Sequence, residues 1–133
     1  MAEKIKFELV SPAKLLISES VDMVVVPGSE GDFGALALHA PMITTVRPGV
    51  IDVHNDGKVG NRIFVAGGFA EVNEVRVTVL AEEAIPVADI TADMASARLQ
   101  DAREAMADAK TDAEKAAADQ RMLIASALQA AIH

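Results

Sequence analysis

Apolar and polar residues alternate along residues 4–10, with Ile5, Phe7 and Leu9 on one face and Lys4, Lys6 and Glu8 on the other. A period of two marks a half-buried strand, and Ser11-Pro12 ends it. Residues 15–17 predict a short second strand, and residues 21–26 a third that is almost wholly apolar. Residues 35–38 and 42–46 read as short strands on either side of His39. Residues 50–54 and 58–66 flank Asn55-Asp56-Gly57, a strong hairpin signal. Residues 69–72 and 75–80 pair around Asn73-Glu74, and residues 83–87 read as a last short strand. Nine or ten short strands with no helix between them predict a β-sandwich or barrel.

The period changes near Ala88. Every glycine and proline of the chain lies before it, and none follows. Ala95, Leu99, Ala102, Met106 and Ala109 then step by four and three, an apolar stripe on a helix over about residues 91–108. Asp89 or Thr91 can cap its start. Thr111-Asp112-Ala113-Glu114 has capping-box spacing and predicts a second helix over about residues 112–131. Its stripe is Ala117, Ile124, Leu128 and Ala131, with Leu123 and Ala127 beside it. The predicted class is therefore two-part α+β. Residues 1–88 form an all-β flattened sandwich of about ten strands, and residues 89–133 an antiparallel helical hairpin. Alanine buries little area, so the hairpin gains little from its own contacts and can detach from the sandwich.

Composition narrows what such a molecule can do. With no Trp, Tyr or Cys and only four Phe, the core is aliphatic, and disulfides and thiolate metal sites are excluded. A net charge of −8 argues against a nucleic-acid partner, which needs a clustered basic face. No apolar run reaches membrane-spanning length, and the N-terminus lacks a signal-like apolar region. Any membrane contact is expected to be indirect, with the protein remaining in the compartment where it is made.

The densest turn chemistry lies in Gly28-Ser29-Glu30-Gly31-Asp32-Phe33-Gly34. Its glycine spacing fits neither G-x-G-x-x-G nor the P-loop, and Glu30 and Asp32 would repel a phosphate. Bases for catalysis are scarce: His39, His54 and the terminal His133. Ser29, His39 and Asp32 make a catalytic set on paper only, because the strand-turn-helix of a nucleophile elbow is missing. The carboxylates lack calcium-loop spacing, and no His pair stands at i,i+4. No catalytic residue and no metal ligand is predicted. His39, in His39-Ala40-Pro41, either bonds its own turn or offers a contact to a partner.

Three motifs in order decide between those readings. They are Gly28-Ser29-Glu30-Gly31-Asp32-Phe33-Gly34; His39-Ala40-Pro41-Met42-Ile43-Thr44 with Arg47-Pro48-Gly49; and Gly67-Gly68-Phe69-Ala70-Glu71-Val72 with Val77-Thr78-Val79-Leu80-Ala81. With the alanine-rich hairpin, they make the whole chain resemble the epsilon subunits of F-type ATP synthases. The resemblance implies a flattened ten-stranded sandwich followed by two helices. It also implies a non-catalytic rotor subunit at the foot of the central stalk, which links the gamma subunit to the membrane c-ring and couples proton flow to ATP synthesis. By resemblance, Ser11, Glu30, Gly31 and Asp32 contact the c-ring, and His39, Ala40, Pro41 and Met42 face gamma. The implied location is peripheral, on the cytoplasmic face of the bacterial inner membrane.

In that family the hairpin also regulates ATP hydrolysis, reaching the catalytic beta subunit when extended and, in some members, held folded by ATP. The nucleotide motif falls here on Ile90-Thr91-Ala92-Asp93-Met94-Ala95, where Thr91 replaces the usual Asp and Met94 the usual Arg. Asp89, Arg98 and Arg121 remain as candidates for nucleotide binding, and weak or absent ATP sensing is expected. No other cofactor is implied. An ATP-gated inhibitor with a working site, and an unrelated β-sandwich binding module, are the alternatives. Ala37-Leu38 departs from the family's Pro-Gly just before His39.

Overall fold

The structure, a computed structural model, describes residues 3–13 and 15–132. His133 lies outside the described residues. The chain forms two compact units that divide between Pro86 and Val87.

The first unit is all β. Its strands are β1 (Ile5–Val10), β2 (Leu15–Val21), β3 (Met23–Gly28), β4 (Gly31–Ala35), β5 (Met42–Val46), β6 (Gly49–Asn55), β7 (Lys58–Val65), β8 (Gly68–Val72), β9 (Arg76–Ala81) and β10 (Ala84–Pro86). They pair in the order β10-β7-β6-β3-β5-β8-β9-β1-β2, with β4 added beside β3. β1 runs parallel to β9, and the other pairings are antiparallel.

The sheet turns its corner in β3. Met23, Val24 and Val25 pair with β6, whereas Gly28 pairs with Val46 of β5. Pro27 stands between, with no N–H to hold it in a continuous ladder. The sheet thus folds over on itself, and the two inner faces meet. The alternation of β1 is realised, with Ile5, Phe7 and Leu9 all at 0% exposure. They pack with Val24, Val26, Ile51, Val53, Ile63, Val65, Val77 and Val79 in one aliphatic core. Among the described residues no polar or charged side chain is buried.

Two strand assignments differ from the sequence reading. β2 continues through Ser18-Glu19-Ser20 to Val21, because cross-strand pairing with β1 supplies the hydrogen bonds that the polar residues do not advertise. β4 occupies Gly31–Ala35, and residues 36–38 form a turn instead of a strand. Its glycines are tolerated because β3 templates it residue by residue, from Gly28 opposite Gly31 to Val24 opposite Ala35. The Asn55-Asp56-Gly57 tip is a tight hairpin, with Asn55 opposite Lys58 and left-handed φ at Asp56 (54°) and Gly57 (76°).

The second unit opens with a 3-10 turn (Val87–Asp89), followed by helices α1 (Ala92–Asp108) and α2 (Asp112–Ala131). Of the two candidate caps, Thr91 serves: its Oγ1 accepts from the Met94 N–H at 3.1 Å. Thr111 completes a capping box, with the Glu114 N–H donating to its Oγ1 (3.1 Å) and its own N–H donating to Glu114 Oε1 (3.2 Å). The buried side chains are Ala95 and Ala102 of α1 and Ala118, Ala125, Leu128 and Ala131 of α2. This corrects the expected stripes. Met106 of α1 is exposed, and so are Ala117 and Leu123 of α2, where alanines at 116, 117 and 118 leave the helix without a sequence-defined phase.

Candidate docking site

The residues singled out in the sandwich gather on its loops and one outer face. Gly28 and Gly31 pair across the β3–β4 hairpin, so Ser29 and Glu30 are its two-residue tip. Gly31 has φ 135°, a conformation that side chains rarely adopt, and a Cβ there would meet no neighbour; the backbone, not crowding, demands glycine. Glu30 stands exposed at the tip. Asp32 does not point outward alone, for its Oδ1 accepts a hydrogen bond from Arg47 Nη2 in an ion pair. Arg47 also donates from Nη1 to the Gly28 carbonyl at 2.6 Å. The hairpin packs beside β5, and one cavity of about 250 Å³ is lined by Glu30, Gly31, Asp32 and Met42. Met42, assigned by resemblance to gamma, is therefore a neighbour of Glu30, Gly31 and Asp32, assigned by resemblance to the ring.

His39 is half-exposed, with Nδ1 at 2.6 Å from the Ala40 carbonyl and its ring 6.4 Å from that of Phe33. Nδ1 thus donates to the protein's own turn. Just before it, Leu38 adopts φ 69°, the left-handed conformation that the family's glycine takes without cost. The Leu38 N–H donates to the Glu74 carbonyl at 2.7 Å, which holds the turn in place. Ala40 and Pro41 are exposed, but Met42 packs against the core, and it is Ile43 that faces out, 74% exposed.

Sequence reasoning missed the apolar row beside them. Thr45 stands opposite Phe69, Phe69 opposite Leu80, Leu80 opposite Val10, and Val10 opposite Leu15. Directly paired residues share a face, so this row crosses β5, β8, β9, β1 and β2 on the outside of the sandwich. Phe69, Leu80 and Leu15 are each more than half exposed, at 56%, 52% and 53%. A groove of about 390 Å³ runs along the row, lined by Ser11, Pro12, Phe69, Leu80 and Glu82. The signal was present: Phe69-Ala70 and Val79-Leu80-Ala81 are apolar in both phases, which a strand with one wet face does not require.

In the hairpin, Arg98 and Arg121 line one cleft of about 290 Å³ together with Asp101 and Ile124. Arg121 Nη1 donates to Asp101 Oδ2 at 3.3 Å across the two helices. Asp89 sits in the 3-10 turn and is not among the residues lining that cleft. One carboxylate elsewhere is electrostatically distinctive. The Asp56 N–H (2.7 Å) and Lys4 Nζ (3.1 Å) hold the Asp22 carboxyl below the ordinary carboxylate range.

A folded-over ten-stranded sandwich followed by a two-helix hairpin is the architecture of an ATP synthase delta/epsilon chain, and the beta-sandwich domain of that chain, as a sequence family, matches residues 4–87. An ATP synthase epsilon chain of Paramagnetospirillum magneticum is 72% identical over 132 residues, covering 99% of both chains. That of Rhodospirillum rubrum is 59% identical over 131 residues, covering 98% of each. Among solved structures, a chain of the Euglena gracilis mitochondrial ATP synthase, solved with OSCP, F1 and c-ring, superposes with a TM-score of 0.84 at 26% identity, covering 100% of this chain and 84% of that one. A chain of the Tetrahymena thermophila mitochondrial ATP synthase central stalk and c-ring shares the fold, with a TM-score of 0.75 at 16% identity and coverage of 99% and 98%. The chain belongs to the ATP synthase epsilon-chain family.

Proposed function

We propose that this protein is the non-catalytic rotor-stalk subunit of a proton-translocating ATP synthase, docked by its sandwich between the gamma subunit and the c-ring on the cytoplasmic face of a bacterial membrane. The observation that carries this reading is the outward apolar row of Leu15, Leu80 and Phe69, with Ile43 on the same face. Exposed apolar side chains aligned on the outer face of a sheet mark an interaction surface. The Glu30 tip supplies charge beside it, which favours register and encounter over raw affinity. Ser11 lines the groove with Phe69 and Leu80, and Met42 lines a second cavity with Glu30, Gly31 and Asp32, which supports a docking role for both regions. His39 commits Nδ1 to its own turn, consistent with a contact residue and not a base. Among the described residues no helix is long and apolar enough to cross a membrane. In this reading residues 1–88 dock, and residues 89–133 regulate by moving between a folded and an extended position against the catalytic beta subunit.

Co-elution of the full chain with the gamma subunit tests this directly. The wild-type chain is expected to bind, and the Phe69→Glu/Leu80→Glu double variant to lose binding while retaining its circular dichroism. Unchanged binding by the variant removes the apolar row from the interface.

The ATP-gated reading has one observation in its favour, the shared cleft of Arg98 and Arg121. Asp101 weighs against it, since its carboxylate already occupies Arg121 and would repel a phosphate. Titration of the full chain with ATP, followed by NMR of the hairpin amides, is expected to show no saturable shift. Saturation lost in Arg98→Ala would reverse that conclusion.

A further inference from the structure

Two carboxylates sit on the docking hairpin, and they are not equivalent. Glu30 is at the exposed tip, whereas Asp32 is bonded to Arg47. Arg47 reaches both strands of the hairpin just behind its tip. It donates to the Gly28 carbonyl on β3 (2.6 Å) and to the Asp32 carboxylate on β4, and its own backbone N–H donates to the Pro27 carbonyl at 2.9 Å. The hairpin needs such a tie. Pro27, opposite Asp32, has no N–H to give the ladder, so Arg47 adds a bond from outside the hairpin where the ladder lacks one. Ser29, at the tip itself, is held by one further bond, from its N–H to the Thr45 carbonyl at 3.0 Å.

We infer that Arg47 and Asp32 form a clamp that positions the β3–β4 hairpin, so that Glu30 alone carries the tip charge offered to the c-ring. This rests on the docking reading above. Arg47 and Asp32 are then positioning residues, not ring contacts. The pair is exposed, with 44% and 61% of the two side chains accessible, and exposed ion pairs add little to stability. Its consequence is therefore sought in the order of the tip and not in the melting temperature.

The sign of one substitution separates positioning from simple charge. Arg47→Gln frees the Asp32 carboxylate and makes the hairpin more negative. If charge alone sets affinity for a basic ring loop, that variant binds more tightly. If the clamp positions Glu30, it binds less tightly, by about three- to tenfold for the added cost of ordering the tip. The assay is the affinity of a complex of the full chain with the gamma subunit for the isolated c-ring, measured across salt concentrations. Arg47→Lys, which keeps the ion pair but not the fork to Gly28, is expected to recover part of the loss. In the free full chain, 15N relaxation of Ser29, Glu30 and Gly31 is expected to report a looser tip in Arg47→Gln and in Asp32→Asn, with the sheet amides unchanged. Binding by Arg47→Gln as tight as or tighter than wild type, or an unaltered tip in the relaxation data, overturns the clamp. A Glu30→Gln variant that binds the ring normally overturns the assignment of Glu30 as the docking charge. A tip that loosens in that case leaves the positioning role of Arg47 standing, so the two failures are separable.

Discussion

The sandwich and the hairpin are built from different materials. The sandwich buries Phe7, Ile5, Leu9, Ile51 and a set of valines at or near 0% exposure, in a core fed by nine strands. The hairpin buries alanines and one leucine. A buried leucine or phenylalanine side chain stabilises by about 1.5–3 kcal/mol, several times what an alanine methyl gives. The sandwich therefore has the strength to serve as a fixed mount. The helices rely on local devices, namely the Thr91 and Thr111 caps and the Arg121–Asp101 bridge.

The largest expected effect tests the mount. Phe7→Ala is predicted to cost the sandwich about 4 kcal/mol in urea denaturation, through lost transfer energy and the cavity left behind. If helix amides lose exchange protection in step with sandwich amides, the two units unfold as one body and the contrast fails. Gly68→Ala comes next. A Cβ there would stand 2.0 Å from the Leu80 carbonyl oxygen, at φ 145°, so a loss of about 3 kcal/mol is expected from clash and strain. Thr111→Ala removes the side-chain half of the capping box, the Oγ1 that accepts from the Glu114 N–H, and is expected to cost about 1 kcal/mol, confined to α2 in hydrogen exchange. A matching loss of protection in β1 would break the distinction from the other side.

The smallest effect concerns pH. The folded carboxyl of Asp22 titrates below its unfolded value, chiefly because of the Asp56 N–H and then Lys4. Its contribution is fully present above the unfolded value and is lost as pH falls through the lower, folded one. A melting curve followed against pH should therefore hold from neutrality down to the ordinary carboxylate range and decline only below it. Asp22→Asn should flatten that acid limb while leaving α2 exchange untouched.

What could be read from residue types follows the same contrast. Alternation exposed the inner face of β1 because Ile5, Phe7 and Leu9 differ sharply from their lysine and glutamate neighbours. Asn55-Asp56-Gly57 and Thr111-Glu114 declared themselves by turn and cap chemistry. Alanine carries no such contrast, so the buried phase of α2 was unreadable between Ala117 and Ala118. β2 was cut short because Ser18-Glu19-Ser20 owe their strand to pairing with β1 and not to their own preferences. The left-handed Leu38 was hidden too, since a leucine argues against the conformation that its Glu74 hydrogen bond imposes. At the proposed docking surface, the loop residues were legible by resemblance alone. The tie between Asp32 and Arg47, and the row from Phe69 to Leu15, exist only once distant strands are laid side by side.

The parallel pairing of β1 with β9 sets a timetable for biosynthesis. Lys6 meets Arg76, about seventy residues later in the chain, so the N-terminal strand leaves the ribosome long before its neighbour exists. Until then β1 has only β2 as a strand neighbour, and a lone two-stranded hairpin is marginal in water. Non-local closures of this kind are slow, whereas the helices need only near neighbours. A nascent chain arrested before Arg76 should thus be a substrate for holdase chaperones, and release past β9 should end that dependence at one step.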